Sequence, residues 1–487
     1  MNIRCLSKPF LFLTFALLIG SSISSFAQEA SKSPKDVQYG ALYIGKRHDP
    51  DMNQWRQMRF GEFLHFGLYS ILGGSWQGKH YNGAAEWIKA WAHIPDSAYF
   101  SLIHQFNPVD FDADAWAAMA KKMGAKYVRI TTKHHEGFCL WPSKYTDFDI
   151  ASSPYKKDLL GELIDACNKA GLKVSLYYSI LDWHHPDWRS SIKSESDSVA
   201  YTKYKKYVKN QLTELLERYP SIIGMWFDGT WDKSWKNDGE FSYKLEKYLK
   251  KIHPGLIVNA RLRADEYGAR HFDSNGHLMG DYEDGFERKL PSASDTAVLG
   301  YDWEGIMTIP ENQWGYNKIW NGHVKTADEM IELMTQAVSM GGNFLVNFGP
   351  KPDGSFRMEE QYMAKAIGAW MKVNGRAIYG CDHAYGWEKQ NWGYYTSDTV
   401  NHKIYMVVFN TPISGLLKVK SPKGQHINRC YALSNPMKYL QVENIGKQEF
   451  YIHLIKQEHA QPYVIVLDIK QDQKKKREQN YHQPAKT

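Results

Sequence analysis

Ionisable and hydrogen-bonding side chains collect at the ends of short apolar segments that recur along the chain. Asp228 ends one such segment, residues 133–136 (KHHE) follow another, and Arg261 lies just beyond a third. The full set is His65, Lys133, His134, His135, Glu136, Tyr177, Tyr178, Asp228, Asn259, Arg261, Glu283, Asp284 and Glu287. A single aspartate at such an end is usually a helix cap. Six ends that all carry such groups instead predict one shared pocket.

The residue types favour hydrolysis of a glycosidic bond. A zinc site is disfavoured because no HExxH motif or cysteine pair occurs, and because the neighbours His134 and His135 are expected on opposite faces of a strand. The G-x-S-x-G elbow of serine hydrolases and a phosphate-binding loop are also absent. Carboxylates among neutral hydrogen-bonding groups and tryptophans remain, and glycosidases use one carboxylate as nucleophile and one carboxyl as acid. We therefore predict an active site without a metal or cofactor.

Apolar segments alternate with amphipathic ones between residues 59 and 348, which predicts repeated strand–helix units. The predicted strands cover residues 60–66, 127–132, 174–178, 222–227, 256–260, 277–282 and 344–348. The predicted helices cover residues 114–123, 157–170, 199–219, 241–252 and 326–340, the last with a capping box of Thr326 and Glu329. A parallel sheet covered on both faces follows, most simply a (β/α)8-like barrel. An open dinucleotide-binding sheet is disfavoured, since no G-x-G-x-x-G turn follows the first strand.

The pattern changes after residue 378. Strand-like runs at 403–409, 416–419, 450–454 and 463–469 have turn residues and no helix pattern between them, which predicts an antiparallel β-sandwich. The predicted domains are a signal peptide over 1–27, a lead-in segment over 28–54, a barrel over 55–378, a sandwich over 379–470 and a basic disordered tail over 471–487.

The N-terminus has the layout of a secretory signal peptide. Arg4 and Lys8 precede an apolar run over residues 10–20, which is short for a membrane span, and residues 25–27 (SFA) offer a cleavage site. We therefore expect export to the periplasm or the medium, without membrane insertion after cleavage. The four cysteines that remain are expected to be free and buried, because they are too scattered for a disulfide framework: Cys139, Cys167, Cys381 and Cys430.

The formal net charge of +7 says little about partners, because the tail over residues 471–487 is strongly basic and too poor in apolar residues to fold alone. Elsewhere no basic stripe is interleaved with aromatic residues, so a nucleic-acid partner is not expected.

Several segments resemble glycoside hydrolase family 29, the α-L-fucosidases. The most distinctive are residues 124–146 (GAKYVRITTKHHEGFCLWPSKYT) and 341–354 (GGNFLVNFGPKPDG). The other matches are residues 58–70 (MRFGEFLHFGLYS), Glu86-Trp87, 157–163 (KDLLGEL), 175–183 (SLYYSILDW), 226–229 (WFDG) and 314–316 (WGY). They keep the order of the family and cover residues 55 to 380, the whole predicted barrel.

The resemblance implies an exo-acting, retaining α-L-fucosidase that releases terminal fucose from fucosylated oligosaccharides or glycoconjugates. It implies that Asp228 is the nucleophile of a covalent fucosyl-enzyme and that Trp226 lies against the sugar. The positions that match residues around the fucose are His65, Glu86, Trp87, His134, His135, Tyr177 and Arg261. Histidines and a glutamate suit this role, because sugar hydroxyls need both donors and acceptors.

Glu287 matches the position of the acid/base, although its surroundings depart from the family. Residues 280–287 (GDYEDGFE) begin like the G-D-[YF]-x-T-P-E run of the family but have Gly285-Phe286 where Thr-Pro is usual. Glu283, Asp284 and Glu304 are the alternatives, the last because it follows a tryptophan as in the later W-E pair of the family. The acid must hold its proton near neutral pH, which needs a partly buried site or the nearby charge of Asp228.

Two other functions fit the same residues. One is a related glycosidase with shifted specificity, such as an α-galactosidase, because galactose and fucose differ chiefly at C6. The other is a fucose-binding protein that has lost catalysis, which the Gly-Phe departure keeps open.

Overall fold

The computed structural model describes residues 39–263, 271–320, 322–454 and 462–471. The predicted signal peptide and residues 472–487 of the predicted tail lie outside these ranges. Within them, no helix is both long enough and apolar enough to cross a membrane.

Eight parallel strands form one curled sheet. They are β1 (Phe60–Leu64), β2 (Tyr127–Lys133), β3 (Lys173–Ser179), β4 (Gly224–Asp228), β5 (Ile257–Val258), β6 (Glu283–Glu287), β7 (Trp303–Thr308) and β8 (Asn343–Phe348). Their order is β5-β4-β3-β2-β1-β8-β7-β6. A parallel bridge between Asn259 and Tyr282 joins the two edges, and the Ala260 N–H donates to the Tyr282 carbonyl at 2.9 Å. The sheet therefore curls into the predicted barrel.

Seven helices of more than five residues surround the sheet within the described residues. They are α1 (Pro50–Met58), α2 (Ala113–Met123), α3 (Leu159–Ala170), α4 (Glu195–Arg218), α5 (Gly239–Ile252), α6 (Ala327–Ser339) and α7 (Met358–Asn374). The capping box of Thr326 and Glu329 is confirmed. Helix α2 ends at Gly124, whose φ of +99° suits glycine.

Several elements differ from the prediction. The strand predicted over 277–282 is wrong: those residues make only isolated bridges, and β6 begins at Glu283. Gly280 turns the chain there with a φ of +100°, against the backbone of Ala260. Strand β7 and helices α1 and α7 have no counterpart among the predicted elements, and neither do four strands of the C-terminal sheets. In β7, Glu304 and Gly305 interrupt the apolar pattern, and the burial of Glu304 depends on an ion pair with a distant arginine.

The barrel has apolar packing on both sides of its strands. The interior cluster includes Phe63, Tyr177, Trp226, Ile306 and Leu345, all buried. A larger cluster fills the layer between the strands and the surrounding helices. Side chains at the carboxyl ends of the strands therefore lie above a packed barrel interior.

The C-terminal region is the predicted antiparallel β-sandwich. Its strands are β9 (Gly393–Asp398), β10 (Lys403–Val408), β11 (Leu416–Lys420), β12 (Gln425–Ala432), β13 (Asn435–Tyr439), β14 (Val442–Gly446), β15 (Glu449–His453) and β16 (Tyr463–Gln471). The two sheets have the orders β9-β10-β16-β12-β13 and β11-β15-β14. Met406, Leu417 and Ile465 lie in the core of the sandwich, whereas Val407 and Val466 pack into the barrel's helix layer. The four cysteines are free and buried, as predicted.

Candidate active site

Asp228 is the last residue of β4, at the carboxyl end of the barrel. Gly229 follows with a φ of +72°, in a turn where a β-carbon would lie 2.6 Å from Leu181. The Tyr177 hydroxyl donates to Asp228 Oδ2 at 2.9 Å, and Arg261 Nη1 donates to Oδ1 at 2.9 Å. Burial acts to raise the pKa of Asp228, but Arg261 and His135 lower it by more than burial raises it. The pKa therefore lies below its usual value. The carboxylate is thus held ionised, as a nucleophile requires.

Glu287 ends β6 and points into the same pocket. Arg261 Nη2 donates to Glu287 Oε1 at 2.7 Å, and the glutamate side chain keeps 19% of its surface exposed. One guanidinium therefore binds both carboxylates. The distance between the carboxylates cannot exceed the width of the guanidinium plus the lengths of two hydrogen bonds, and the separation of about 5 Å found in retaining glycosidases lies within this maximum. Phe286 points away to pack on Trp303 at 5.0 Å, so the Gly-Phe departure leaves Glu287 in the pocket.

Glu283 and Asp284 are committed to buried contacts. Glu283 accepts hydrogen bonds from the backbone N–H groups of Asp284 and Gly285, at 2.9 and 2.8 Å, and is 1% exposed. Asp284 accepts from Asn259 Nδ2 at 2.6 Å and lies 3.2 Å from Arg261 Nε. Burial raises the pKa of Asp284. These two rivals of Glu287 are thus buried away from solvent.

Glu304 lies far from the strand ends that carry the pocket. It is the second residue of β7, where its carboxylate pairs with Arg129 and accepts from the Tyr127 hydroxyl at 2.7 Å. All three side chains are buried in the barrel interior. This geometry makes Glu304 a structural ion-pair partner.

The surroundings of His135 fix which ring nitrogen carries its proton. Its Nδ1 lies 2.6 Å from the Ser179 hydroxyl oxygen, and that hydroxyl donates to the Leu181 carbonyl at 2.6 Å. Ser179 must therefore accept from Nδ1–H. Burial lowers the pKa of His135 to about 4, so the ring is neutral at pH 7. Its Nε2, 3.6 Å from Asp228 Oδ2, presents a lone pair to the pocket.

His65 is held in the same tautomer by another partner. Its Nδ1 lies 2.6 Å from Asn347 Oδ1, and the amide nitrogen of Asn347 donates to the Trp314 carbonyl at 2.7 Å. The amide oxygen therefore accepts from His65 Nδ1–H, which leaves Nε2 as an acceptor. Burial lowers the pKa of His65 to about 3.

His134 corrects the expectation that the two adjacent histidines face opposite ways. The His134 and His135 rings lie 4.1 Å apart, centre to centre, on the same side. Strand β2 ends at Lys133, with a register shift between Thr131 and Lys133, so strand alternation no longer applies. His134 stacks on Tyr177 at 5.5 Å, and its Nδ1 has no hydrogen-bond partner among the described residues.

Glu86 and Trp87 form another wall of the pocket, and both lie in a short 3-10 helix (Ala85–Trp87). Glu86 accepts the Gly315 N–H at 3.0 Å, and burial raises its pKa to about 7. The Trp87 ring lies 5.0 Å from that of His135. Trp226 lies deeper, between Tyr177 at 5.3 Å and the guanidinium of Arg261 at 4.6 Å. All ten predicted site residues thus meet in one cluster.

Sequence reasoning assigned no role to Ser179, Asn347 and Trp231, which shape the pocket, and it named Glu136 only as one of the strand-end groups. Ser179 and Asn347 orient the histidines, and both lie inside segments that match the family. Trp231 stacks on Trp87 at 5.9 Å, three residues beyond Asp228. Glu136 accepts the Leu68 N–H at 2.8 Å and the Tyr99 hydroxyl, which ties the loop after β1 to the histidine segment. Aromatic or polar residues within the last two positions of a strand, or within three residues after it, are the signal that could have identified them.

One group of described residues has the composition of a metal site: His271, Glu283 and Asp284, with donor atoms within 4.8 Å of one another. The backbone N–H of His271 donates to Glu283 at 3.3 Å, and Arg261 already supplies positive charge 3.2 Å from Asp284. These contacts describe a hydrogen-bonded ionic network beside the pocket.

The chain is similar to known α-L-fucosidases along most of its length. The family model described as α-L-fucosidase matches residues 26–376. The tissue α-L-fucosidase of Mus musculus is 30% identical over 379 residues, which cover 75% of this chain and 80% of that protein. The plasma α-L-fucosidase of Homo sapiens is 29% identical over 417 residues, which cover 80% and 83%.

Solved structures show the same likeness. A bacterial fucosidase bound to a phenyl-triazole pyrrolidine inhibitor is 52% identical, with a TM-score of 0.87 over 90% of this chain and 98% of that one. A family 29 α-L-fucosidase from Bacteroides thetaiotaomicron is also 52% identical, with a TM-score of 0.87 over 89% and 99%. That structure is a covalent intermediate trapped with 2-fluoro-fucosyl fluoride in a glutamate-to-glutamine mutant.

Proposed function

The chain belongs to the α-L-fucosidase family of glycoside hydrolases, and from that premise we propose that Asp228 and Glu287 carry out a retaining double displacement on terminal α-L-fucosides. The observation that carries this assignment is the bridge of Arg261 between the two carboxylates, at 2.9 and 2.7 Å. The trapped covalent intermediate of the Bacteroides relative supports the retaining course.

In the first step Asp228 attacks the anomeric carbon while the bond to the leaving-group oxygen breaks. Glu287 gives its proton to that oxygen, and a fucosyl ester of Asp228 forms. In the second step Glu287 takes a proton from water, whose oxygen attacks the same carbon and releases the Asp228 carboxylate. Two inversions leave the anomeric configuration unchanged.

The remaining pocket residues bind and orient the sugar. The Nε2 atoms of His65 and His135 accept hydrogen bonds from fucose hydroxyls, because their Nδ1 protons are committed to Asn347 and Ser179. Trp87 and Trp226 supply apolar surface, against which the apolar groups of a 6-deoxy sugar can pack. Fucosylated oligosaccharides or glycoconjugates are the substrates, with fucose at the chain end.

The amino acids at the N-terminus support export as part of this proposal. A positively charged start, an apolar run and a small-x-small site precede Gln28. N-terminal sequencing of protein recovered from the periplasm or medium is expected to begin near Gln28. Recovery of the intact N-terminus from the cytoplasm would contradict export.

The acid/base assignment is tested by chemical rescue. A Glu287→Ala variant is expected to hydrolyse natural fucosides poorly, and azide is expected to restore turnover of a reactive aryl fucoside by forming α-L-fucosyl azide. Azide needs no general base to displace Asp228 in the second step, and this second inversion leaves the α configuration of the substrate unchanged. The matched control is Glu283→Ala; rescue in that variant and not in Glu287→Ala would reject Glu287.

A further inference from the structure

We propose that Asp284 is a positioning residue of the active site, which holds Arg261 so that the arginine can face both catalytic carboxylates. The inference rests on the proposed function, because it takes Asp228 and Glu287 as the reacting groups. Asp284 Oδ2 lies 3.2 Å from Arg261 Nε. The other two guanidinium nitrogens, Nη1 and Nη2, donate to Asp228 and Glu287 at 2.9 and 2.7 Å. Each nitrogen of the guanidinium therefore contacts a different carboxylate.

The contact with Asp284 is the one that the reaction leaves unchanged. Glu287 is protonated before the first step and ionised after it, while Asp228 is ionised before that step and an ester after it. A protonated or esterified carboxyl is a weaker partner for a guanidinium than a carboxylate, because it carries no negative charge. Among the carboxylates that contact Arg261 in the described residues, Asp284 alone takes no part in bond making or proton transfer. It therefore holds the guanidinium in place while the charges of the other two change.

The side chain of Asp284 is itself fixed in position. It is fully buried as the second residue of β6, so it presents no surface to a bound sugar. Asn259 Nδ2 donates to Asp284 Oδ2 at 2.6 Å, the same oxygen that faces Arg261. The backbone of Asp284 adds two contacts, because its N–H donates to Glu283 Oε1 at 2.9 Å and its carbonyl accepts from Arg261 Nη2 at 3.4 Å. Asp284 therefore presents its carboxylate to the arginine in one fixed direction.

Asn259, which directly follows β5, links Asp284 to the nucleophile. Its Oδ1 accepts the Phe227 N–H at 2.7 Å, and its Nδ2 donates to the Phe227 carbonyl at 2.9 Å. The side-chain amide thus binds the backbone of the residue just before Asp228, one residue beyond the end of β5. The amide that holds Asp284 also holds this backbone. The guanidinium and the attacking carboxylate are therefore positioned by one connected set of hydrogen bonds.

The test measures kcat and KM for 4-nitrophenyl α-L-fucoside in the full-length enzyme. Asp284→Ala is expected to lower kcat by about 10²-fold, because the guanidinium loses its fixed direction. KM is expected to change by less than about threefold, because Asp284 does not contact the sugar. Asp284→Asn has nearly the same shape and keeps an oxygen that can accept from Asn259, but it has no charge. A smaller loss of kcat, about tenfold, is therefore expected in that variant.

A double variant tests whether Asp284 acts through Arg261. Losses from two residues that act through one contact do not add. In an Arg261→Gln background, Asp284→Asn is therefore expected to lower kcat/KM by less than about twofold. In a Ser179→Ala background, where the lost contact is with His135, the same substitution is expected to keep its full effect of about tenfold.

Glu214→Gln is the matched control and is expected to change neither kcat nor KM. It removes the charge of another buried carboxylate, which lies on the surrounding helix α4 and accepts from Trp141 Nε1 at 3.0 Å. A full loss from Asp284→Asn in the Arg261→Gln background, a loss carried by KM, or unchanged kcat in both single variants of Asp284 would overturn the positioning role. Failure of the wild-type enzyme to hydrolyse the aryl fucoside would instead reject the proposed function, so the two failures are distinguishable.

Discussion

Asp228 and Glu287 accept hydrogen bonds from the same guanidinium, with Arg261 Nη1 2.9 Å from Asp228 Oδ1 and Nη2 2.7 Å from Glu287 Oε1. The aspartate ends β4 and the glutamate ends β6, and the arginine follows β5, which lies between them. Three consecutive strand ends of the barrel therefore fix the geometry of both carboxylates. The arrangement also stabilises the ionised form of Asp228, because the Arg261 guanidinium lowers the pKa of that carboxyl.

Removal of Arg261 tests this arrangement. In Arg261→Gln the pKa of Asp228 is expected to rise, because the arginine is what lowers it most against the effect of burial. Since only the ionised aspartate attacks, the acid limb of the kcat/KM profile for an aryl fucoside should move to higher pH, and kcat/KM should fall by about 10²-fold. A pH–rate series measures both.

Arg288→Gln is the control for that series. The Arg288 guanidinium is 4.0 Å from Glu287 and about half exposed, so its loss should leave the profile nearly unchanged. An acid limb that stays in place in Arg261→Gln would show that Asp228 is not held ionised by this arginine.

The sequence predicted the barrel well because its strand–helix alternation is a local pattern. Helices α2 and α3 lie within two residues of their predicted ends. Strand β7 was missed because its Glu304 reads as a polar interruption, and only the pairing with Arg129 on β2 explains its burial. Such a pair, 175 residues apart, leaves no signal in a local pattern.

The sequence predicted which residues form the site better than it predicted how their side chains are oriented. The strand-end positions of Asp228, His65 and Arg261 follow from the parallel sheet, which brings carboxyl ends together. The common orientation of His134 and His135 was not predictable, since it depends on where β2 ends. The exclusion of Asp284 likewise depends on its contact with Asn259 across the closed barrel edge.

The tautomers of the pocket histidines give a spectroscopic prediction. In the nitrogen-15 spectrum of the wild-type enzyme at pH 7, His135 and His65 are expected as neutral rings with Nδ1–H and bare Nε2. Ser179→Ala removes the acceptor of His135 Nδ1–H, so the tautomers should mix and kcat/KM should fall by about tenfold. Ser101→Ala, an exposed serine, is the control. A wild-type His135 protonated at Nε2 would contradict the assignment.

Glu136 gives a pH-dependent stability prediction. Burial raises its pKa from 4.5 to about 7. Between these values the unfolded glutamate is ionised while the folded one keeps its proton, so stability should fall as pH rises through this interval and level off above it. Relative to Glu136→Gln, the wild type should lose about 1–3 kcal/mol of unfolding free energy between pH 4.5 and 7. Urea unfolding at a series of pH values measures the difference; a constant difference would contradict it.

Substitution by glutamine should lower the stability of the protein at Glu304 and its activity at Glu287. Glu304→Gln leaves the buried Arg129 charge without its partner, so unfolding free energy should fall by about 3–5 kcal/mol. Glu287→Gln, at a partly exposed site, should fold with nearly unchanged stability but lose most hydrolysis of natural fucosides. Thermal unfolding and kinetics of both variants provide the comparison. Unchanged stability in Glu304→Gln would show that its ion pair is not structural.

The most direct test of the account is the identity of the residue that becomes fucosylated. The enzyme is inactivated with 2-deoxy-2-fluoro-fucosyl fluoride, digested with pepsin at low pH, and sequenced by tandem mass spectrometry. The account predicts one fluorofucosyl group, attached to Asp228, and no label in Asp228→Asn. A label on any other carboxylate, or inactivation of Asp228→Asn with full labelling, would contradict the assignment of Asp228 as the nucleophile.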